Sequence, residues 1–472
     1  MNLWGKRNQI CCMYNLLRLL LFVAVFSTGT CIAQKNSPNI IIIFADDLGY
    51  GDLSSYGSEI PTPNIDRIGK EGIRFTQFYD SAPVCTPSRY SLLTGSYPQR
   101  SLHGLSQVIM PGSTSYLDEN ETTIAEYLKS VNYTTAIIGK WHLGLENKNS
   151  SPTDHGFDKF YGFKGGAIDY YYHAYAEQGL DWYVDNKLSA EKGYATDLLT
   201  NHAINFIDEV KKKSNPFFLY LPYNAPHYGK TDSDSISEGY TIALSKANSA
   251  GSNVINSLQA PKSYVEKFSN IENKYRRVYA AMVSNLDDNI GRLLNKLEKH
   301  GLLETTMIWF ISDNGGYSET QQKHASNGAL RGEKAGLYEG GIRVPAMVWW
   351  KGKIKTNQVI TSPVCNVDLL PTIYSILKIK TSVPSSVIDG KDISKLLFEN
   401  KEVSRDLYWK YNKQFAIRSG KWKLVNGIEL YDLEKDMSEQ INLASVHPEI
   451  VNTLRLKFAE IDSNLRPVEL KK

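Results

Sequence analysis

Short apolar runs recur along the chain, separated by longer stretches with helical spacing. Residues 39–44 read NIIIIF, a continuous β-branched run typical of a strand buried on both faces in a parallel sheet. Similar runs stand at 134–138 (TTAII), 216–221 (PFFLYL), 307–312 (MIWFIS) and 344–350 (VPAMVWW). From Tyr275 to His300, Val278, Met282, Leu286, Ile290, Leu293 and Leu297 recur every three or four residues, which predicts an amphipathic helix. The Asp287-Asp288 pair falls to its solvated face. Ser233 to Gly251 is rich in Ser, Asn and Gly and reads as an inserted surface loop. From about Lys395 the pattern changes to short Tyr- and Trp-bearing strands, such as 415–419 and 422–424. The fold class is therefore α/β, a large mostly parallel sheet flanked by helices, with a smaller C-terminal α+β domain containing an antiparallel sheet.

At 472 residues the chain exceeds the size at which a single core stops growing, so two domains are expected, 34–394 and 395–472. The hydrophobic share of 42% and charged share of 22% exclude disorder and coiled coil. Residues 1–33 read as a signal peptide. Lys6, Arg7 and Arg18 precede the apolar run 19–26, and Cys31-Ile32-Ala33 resembles a small-x-Ala cleavage site. The run is too short to span a bilayer in the mature chain. The expectation is export, periplasmic or secreted; lipoprotein processing at Cys31 is the alternative, with Thr28-Gly29-Thr30 a poor lead-in. Lys+Arg number 53 against 50 Asp+Glu, and the segment 1–33 holds the whole surplus. A balanced chain is no bulk nucleic-acid binder, so any anion must be gripped by a local cluster. Beyond residue 33 only Cys85 and Cys365 remain, enough for one disulfide at most.

The residues with chemical potential stand just past the apolar runs. Asp46 and Asp47 come after the first, Gly139-Lys140-Trp141-His142 after the second, His227 after the third, and Asp313-Asn314-Gly315-Gly316 after the fourth. Open α/β sheets bind ligands at the carboxyl ends of their strands. Singly, each piece has a plain structural reading: a turn, a helix cap, a core histidine. Together they bring two carboxylates, an Asp-Asn pair, a lysine and two histidines to one rim. Asp46, Asp47, Asp313 and Asn314 offer oxygen atoms only, which suits Ca²⁺ or Mg²⁺ rather than zinc, and Ca²⁺ accepts mixed protein ligands more readily. In Cys85-Thr86-Pro87-Ser88-Arg89, Thr86 fits a helix N-cap and Pro87 the first helical position. The helix's positive end suits an anion or an activated thiol. A bare cysteine nucleophile served by histidine is one reading, although a soft thiolate matches a hard metal site poorly.

The Cys85-Thr86-Pro87-Ser88-Arg89 motif with Leu93-Thr94-Gly95 resembles the signature of type I sulfatases, in which the cysteine becomes formylglycine. Phe44 to Asp52, Thr62 to Arg67, Gly139 to Gly144, Ser312 to Gly316, Gly332-Glu333-Lys334, Tyr338 to Pro345, Ile417 to Leu424 and Glu429 to Leu433 are similar to further blocks of that family. The resemblance implies an alkaline-phosphatase-like fold and one Ca²⁺ held by Asp46, Asp47, Asp313 and Asn314, with modified Cys85 or sulfate completing the shell. It implies that hydrated, modified Cys85 attacks sulfur, that Arg89 holds it, and that Lys140 and Lys334 bind sulfate oxygens. His227 would assist the leaving oxygen and His142 would take the proton that expels sulfate. Lys334 otherwise reads as a solvated loop lysine. The implied partners are a sulfated carbohydrate and a formylglycine-generating enzyme. A phosphodiesterase or phosphonate monoester hydrolase of the same superfamily is the alternative, and a non-catalytic sugar-binding relative the third. Extra Asp/His ligands of a two-zinc phosphatase are missing near Asp313. Tyr170 to His173 and the 233–251 tract match no shared block; His173 and His324, ahead of His103 and His155, are the histidines to examine for substrate contact.

Overall fold

The computed structural model describes residues 37–145, 149–175, 178–232, 239–246, 253–318, 322–379 and 388–465. The segment read as a signal peptide lies outside them. No helix among the described residues is long and apolar enough to cross a membrane.

The strand Asn39–Asp46 shows why an unbroken apolar run was needed. Successive side chains of a strand point to opposite faces. Ile41 and Ile43 enter one core with Ile65, Leu199, Leu286 and Ile290, while Ile40, Ile42 and Phe44 enter the other with Leu92, Leu128 and Leu370. Helices Pro63–Lys70, Ala195–Val210 and Lys274–Lys299 cover the first face, and Cys85–Thr94, Ile124–Ser130 and Leu369–Leu377 the second. Asn39–Asp46 pairs in parallel with Thr306–Ser312 on one side and Phe217–Pro226 on the other. Phe217–Pro226 continues in parallel to Thr134–Lys140, and that strand to Lys159–Phe163. The 344–350 run departs from the parallel expectation. Arg343–Trp349 is antiparallel to both Thr306–Ser312 and Ile73–Tyr79. Burial on both faces, which it shares with the parallel strands, is what the apolar pattern reports; it does not report direction.

Three more segments differ from what their sequence pattern predicts. Asp287 is buried, at 1% exposure. It accepts the backbone N–H of Asn64 and of Ile65, at 3.0 and 2.8 Å. It thus caps the helix Pro63–Lys70 from a neighbouring helix, a partner that spacing within its own helix cannot reveal. Only Asp288 keeps the solvated role. The helix at Cys85 starts at the cysteine itself, with Val84 as the extended N-cap residue, so Pro87 sits within the first turn, where its missing N–H costs nothing. Thr86 Oγ1 instead accepts from Ile109 N at 3.1 Å. Within the 233–251 tract, Tyr240–Lys246 is a strand paired with Val254–Ala260, in a three-stranded sheet completed by Gly229–Asp232. Leu244 anchors it in the core. Residues 233–238 and 247–252 lie outside the described residues.

Near the C-terminus, Asp406–Tyr411, Gln414–Ser419, Trp422–Val425 and Glu429–Asp432 form an antiparallel four-stranded sheet. The helix Pro448–Asn464 packs on one face through Val451 and Leu454. On the other, Leu407, Trp409 and Val425 meet Tyr79, Ile342 and Val367. The sheet is thereby fixed against the elements that flank Cys85. Cys85 and Cys365 are both buried and free, and no disulfide joins them.

Candidate active site and metal centre

Parallel pairing sets the carboxyl ends of three strands side by side. Ala45 is in register with Ser312 and Asp46 with Pro226, so Asp46 and Asp47 stand between Asp313-Asn314 and His227. Lys140 ends the strand beyond, and its Nζ donates to Asp46 Oδ2 at 2.6 Å, with neither side chain exposed. Asp47 turns away in the left-handed region, φ 60°. Its carboxylate lies 2.7 Å from Lys334 Nζ and accepts from Asn314 Nδ2 at 2.7 Å. His227 Nε2 is 3.4 Å from Asp47 Oδ2. Asp313 Oδ1 accepts the N–H of Asp47 at 3.1 Å, and Oδ2 accepts from Arg89 Nη2 at 2.8 Å.

Arg89 joins this cluster to Cys85, which opens the same helix four residues earlier. Its guanidinium also comes within 3.5 Å of Asp46. The loop bearing Lys334 is tied to the same segment, since Ala335 N donates to Pro83 O at 2.8 Å. Asp80 braces the helix by accepting from Ser88 Oγ at 2.7 Å and Asn366 Nδ2 at 2.8 Å.

The charges constrain one another. Burial alone would raise Asp46, but Lys140, His227, Arg89 and Lys334 hold it below the usual carboxylate range. Asp313 moves the opposite way, raised by burial and by the neighbouring Asp46 and Asp47 charges against the pull of Arg89. Burial would lower Lys334, yet Asp47, Cys85 and Asp46 lift it well above an ordinary lysine. Burial, reinforced by Lys140, holds His142 well below its usual range. Its Nε2 is 2.9 Å from Ile109 O. A neutral ring donating there leaves Nδ1, buried and without a partner, as the basic atom. Burial pulls His227 down to about 4. Its Nδ1 is 2.7 Å from Tyr228 O, so a neutral ring turns its Nε2 lone pair toward Asp47.

The donor set fits a hard divalent cation. Asp46 Oδ1 and Asn314 Oδ1 are buried with no hydrogen-bond partner, a costly state for an acceptor. Asp46, Asp47 and His227 each present a ligand atom, all within 4.8 Å of one another. Oxygen predominates, as Ca²⁺ prefers. His227, assigned from sequence to the leaving group, thus also borders the cation position.

The sulfatase family model matches residues 38–379, most of the chain. The chain belongs to the sulfatase family. A second model, N-sulphoglucosamine sulphohydrolase C-terminal, matches 332–464 of this sulfatase. It is 31% identical over 411 residues to the N-acetylgalactosamine-6-sulfatase of Rattus norvegicus, covering 82% of this chain and 71% of that protein. It is 29% identical over 500 residues to human arylsulfatase A, with 92% and 90% covered. Among solved structures it resembles Ps i-CgsB in complex with k-i-k-neocarrahexaose, at TM-score 0.79, 31% identity and coverage of 92% and 94%. The fold is alkaline-phosphatase-like, and the enzyme is a sulfatase.

The remaining histidines divide. His173 stacks on Trp182 at 4.4 Å, and its Nε2 lies 3.1 Å from Gly193 O, roles that hold a loop. His324 is buried beside Tyr279, 5.7 Å between ring centroids, close enough for Asp47 and His227 to act on its charge. His103 stacks on Tyr116 and His155 on Trp141. Sequence reasoning missed Asp52, whose buried carboxylate accepts from Tyr279 OH at 2.8 Å and Arg276 Nη1 at 2.5 Å. The same Tyr279 hydroxyl lies 3.2 Å from Asp47 O. A carboxylate six residues past the first strand, opposite an arginine in a long helix, gives no local sign of that bond.

Proposed function

We propose that this sulfatase removes sulfate from a sulfated carbohydrate through a formylglycine made from Cys85 beside a bound Ca²⁺. The observation that carries this reading is Arg89, which springs from the Cys85 helix and bonds Asp313 at 2.8 Å inside the cluster of orphaned acceptors. Asp46, Asp47, Asp313 and Asn314 would hold the cation, which would supply positive charge against a sulfate oxygen. The formylglycine would supply, once hydrated, one hydroxyl to attack sulfur and displace the sugar alcohol, and a second whose loss of a proton expels sulfate and restores the aldehyde.

The chain's own residues do the rest. Arg89, Lys140 and Lys334 present fixed positive charge where the transferring group gains negative charge, usually the largest catalytic term. Arg89 and Lys140 are buried and the Lys334 side chain is only 14% exposed, so water screens them little. His227 would assist the departing sugar oxygen through Nε2, the ring nitrogen left free of the Tyr228 contact. His142 Nδ1 accepts a proton, which its depressed basicity lets it release again. A non-catalytic binder has no use for Cys85, Arg89, His142 and His227 together.

The N-terminal pattern supports export to the periplasm or beyond, with a formylglycine-generating enzyme as maturation partner. The catalytic part spans 34–394 and the C-terminal part 395–472. Similarity to Ps i-CgsB, solved with a neocarrahexaose, supports a polysaccharide-derived substrate. The test is a panel of sulfated oligosaccharides and matched phosphate esters, with free sulfate and phosphate measured. Sulfate release from at least one saccharide is expected; phosphate-ester cleavage without sulfate release overturns the proposal.

A further inference from the structure

A second cavity, of about 870 Å³, shares no lining residue with the cluster around Asp46 and Asp47. It lies where the edge of the main sheet, at Gln77 and Thr361, meets the turn Gly420-Lys421 and residues Leu433 to Met437 of the C-terminal part. Its volume is that of an organic-ligand site rather than of a lone ion. Arg343, Arg405, Arg418, Lys421 and Lys435 line it. Glu402 and Glu434 line it too, so positive charge is in excess.

Structural ties account for part of each guanidinium. Arg343 Nε donates to Thr76 O at 2.7 Å and its Nη1 to Glu339 at 3.3 Å. Arg418 donates to Gly420 O at 2.9 Å and to the Tyr79 hydroxyl. Arg405 pairs with Asp368. A guanidinium carries five N–H donors, and these bonds use a minority of them. Arg405 is 3% exposed, and its Nε has no hydrogen-bond partner. A single arginine tying the C-terminal sheet down would need no cavity. Three guanidiniums edging one void, with two lysines beside them, keep donors beyond those used by Glu339, Asp368 and Asp432 that an entering anion would satisfy. Planar guanidinium forks match the oxygens of sulfate and carboxylate.

We propose that this cavity is a second, non-catalytic site for an oxyanion-bearing saccharide. Arg343, Arg405 and Arg418 grip a sulfate or carboxylate of the sugar, and Lys421 and Lys435 guide it in. Recognition of the anion rests on the lining; the choice of a saccharide as its carrier rests on the function proposed above.

The test measures binding of a carrageenan hexasaccharide and of inorganic sulfate to full-length Cys85→Ala protein, which holds ligand without consuming it. Lys435→Glu and Lys421→Gln are then added singly, each checked for an unchanged Tm; Lys435 is exposed, and Gln can still donate to Asp432. Loss of one charge-assisted bond weakens binding by about tenfold. The expected result is two hexasaccharide sites per chain. One weakens about tenfold in either lysine variant, while 4-nitrophenyl sulfate turnover by the same variants on intact Cys85 is unchanged. Identical hexasaccharide binding with and without the lysine substitutions overturns the proposal, as does inorganic sulfate binding there as tightly as the hexasaccharide. The functional reading fails separately, if intact Cys85 protein releases no sulfate while the second site still binds.

Discussion

Lys334 Nζ lies 2.7 Å from Asp47 Oδ1, and the lysine side chain is only 14% exposed. A residue from a polar Gly-Glu-Lys loop has therefore been drawn into the charged cluster. Removing one preorganised donor from a site of this kind costs roughly 10²–10³-fold in rate. Lys334→Ala is expected to lower kcat/KM on a sulfated substrate by that order, with Lys334→Arg retaining part of the activity. Steady-state kinetics check this, and unchanged kinetics would remove Lys334 from the sulfate-binding set.

The orphaned oxygens of Asp46 and Asn314 predict a stability that responds to calcium. A cation at about 100 times its Kd stabilises the fold by about 2.7 kcal/mol. Adding Ca²⁺ to chelator-treated protein should raise Tm, and Asp46→Asn should abolish most of the rise. A Tm indifferent to Ca²⁺ would show that these residues hold no such ion.

Asp287 gives a test of stability away from the site. Burial pushes its carboxyl up to about 6, above its value in the unfolded chain. The folded state then binds the extra proton, so this residue's contribution to stability is greatest at low pH and declines as pH rises from about 4 to 6. Asp287→Ala should remove that decline. It should also cost about 1 kcal/mol or more at neutral pH by stripping the N-terminus of the helix Pro63–Lys70 of its acceptor. Urea unfolding at several pH values reads both effects.

These residues also show what the sequence can and cannot reveal. Asp46, Lys140, His227 and Asp313 were legible because each ends or directly follows a buried strand, and parallel pairing gathers strand ends. Asn314 and Arg89 followed from their neighbours and the family motif. Asp287 was misread because helical spacing describes one helix and says nothing of the helix packed beside it. Thr86 has a capping residue's chemistry, but the turn begins one residue earlier. The strand Tyr240–Lys246 was hidden by its polar surroundings, since its pairing and the burial of Leu244 are tertiary facts. Lys334 needed the family resemblance, because no local pattern separates it from a solvated lysine.

Lys423 holds the C-terminal sheet to the catalytic part. It lies 2.9 Å from Glu339 and 2.8 Å from Glu439, with none of the three side chains exposed. Removing one partner from a buried ion cluster leaves charge uncompensated, at a cost of about 3–5 kcal/mol. Lys423→Met should lower the denaturant midpoint accordingly, and Lys423→Arg by much less. Equal midpoints for Met and wild type would show that the cluster contributes little to holding the fold.

The side chain at position 85 decides whether this chemistry can run. Mass spectrometry of the peptide spanning residue 85, run on preparations of differing sulfatase activity, tests it most directly. Sulfate release should rise in proportion to the fraction carrying the aldehyde and extrapolate to zero where only thiol is found. A fully active preparation in which residue 85 is entirely unmodified cysteine would contradict the account.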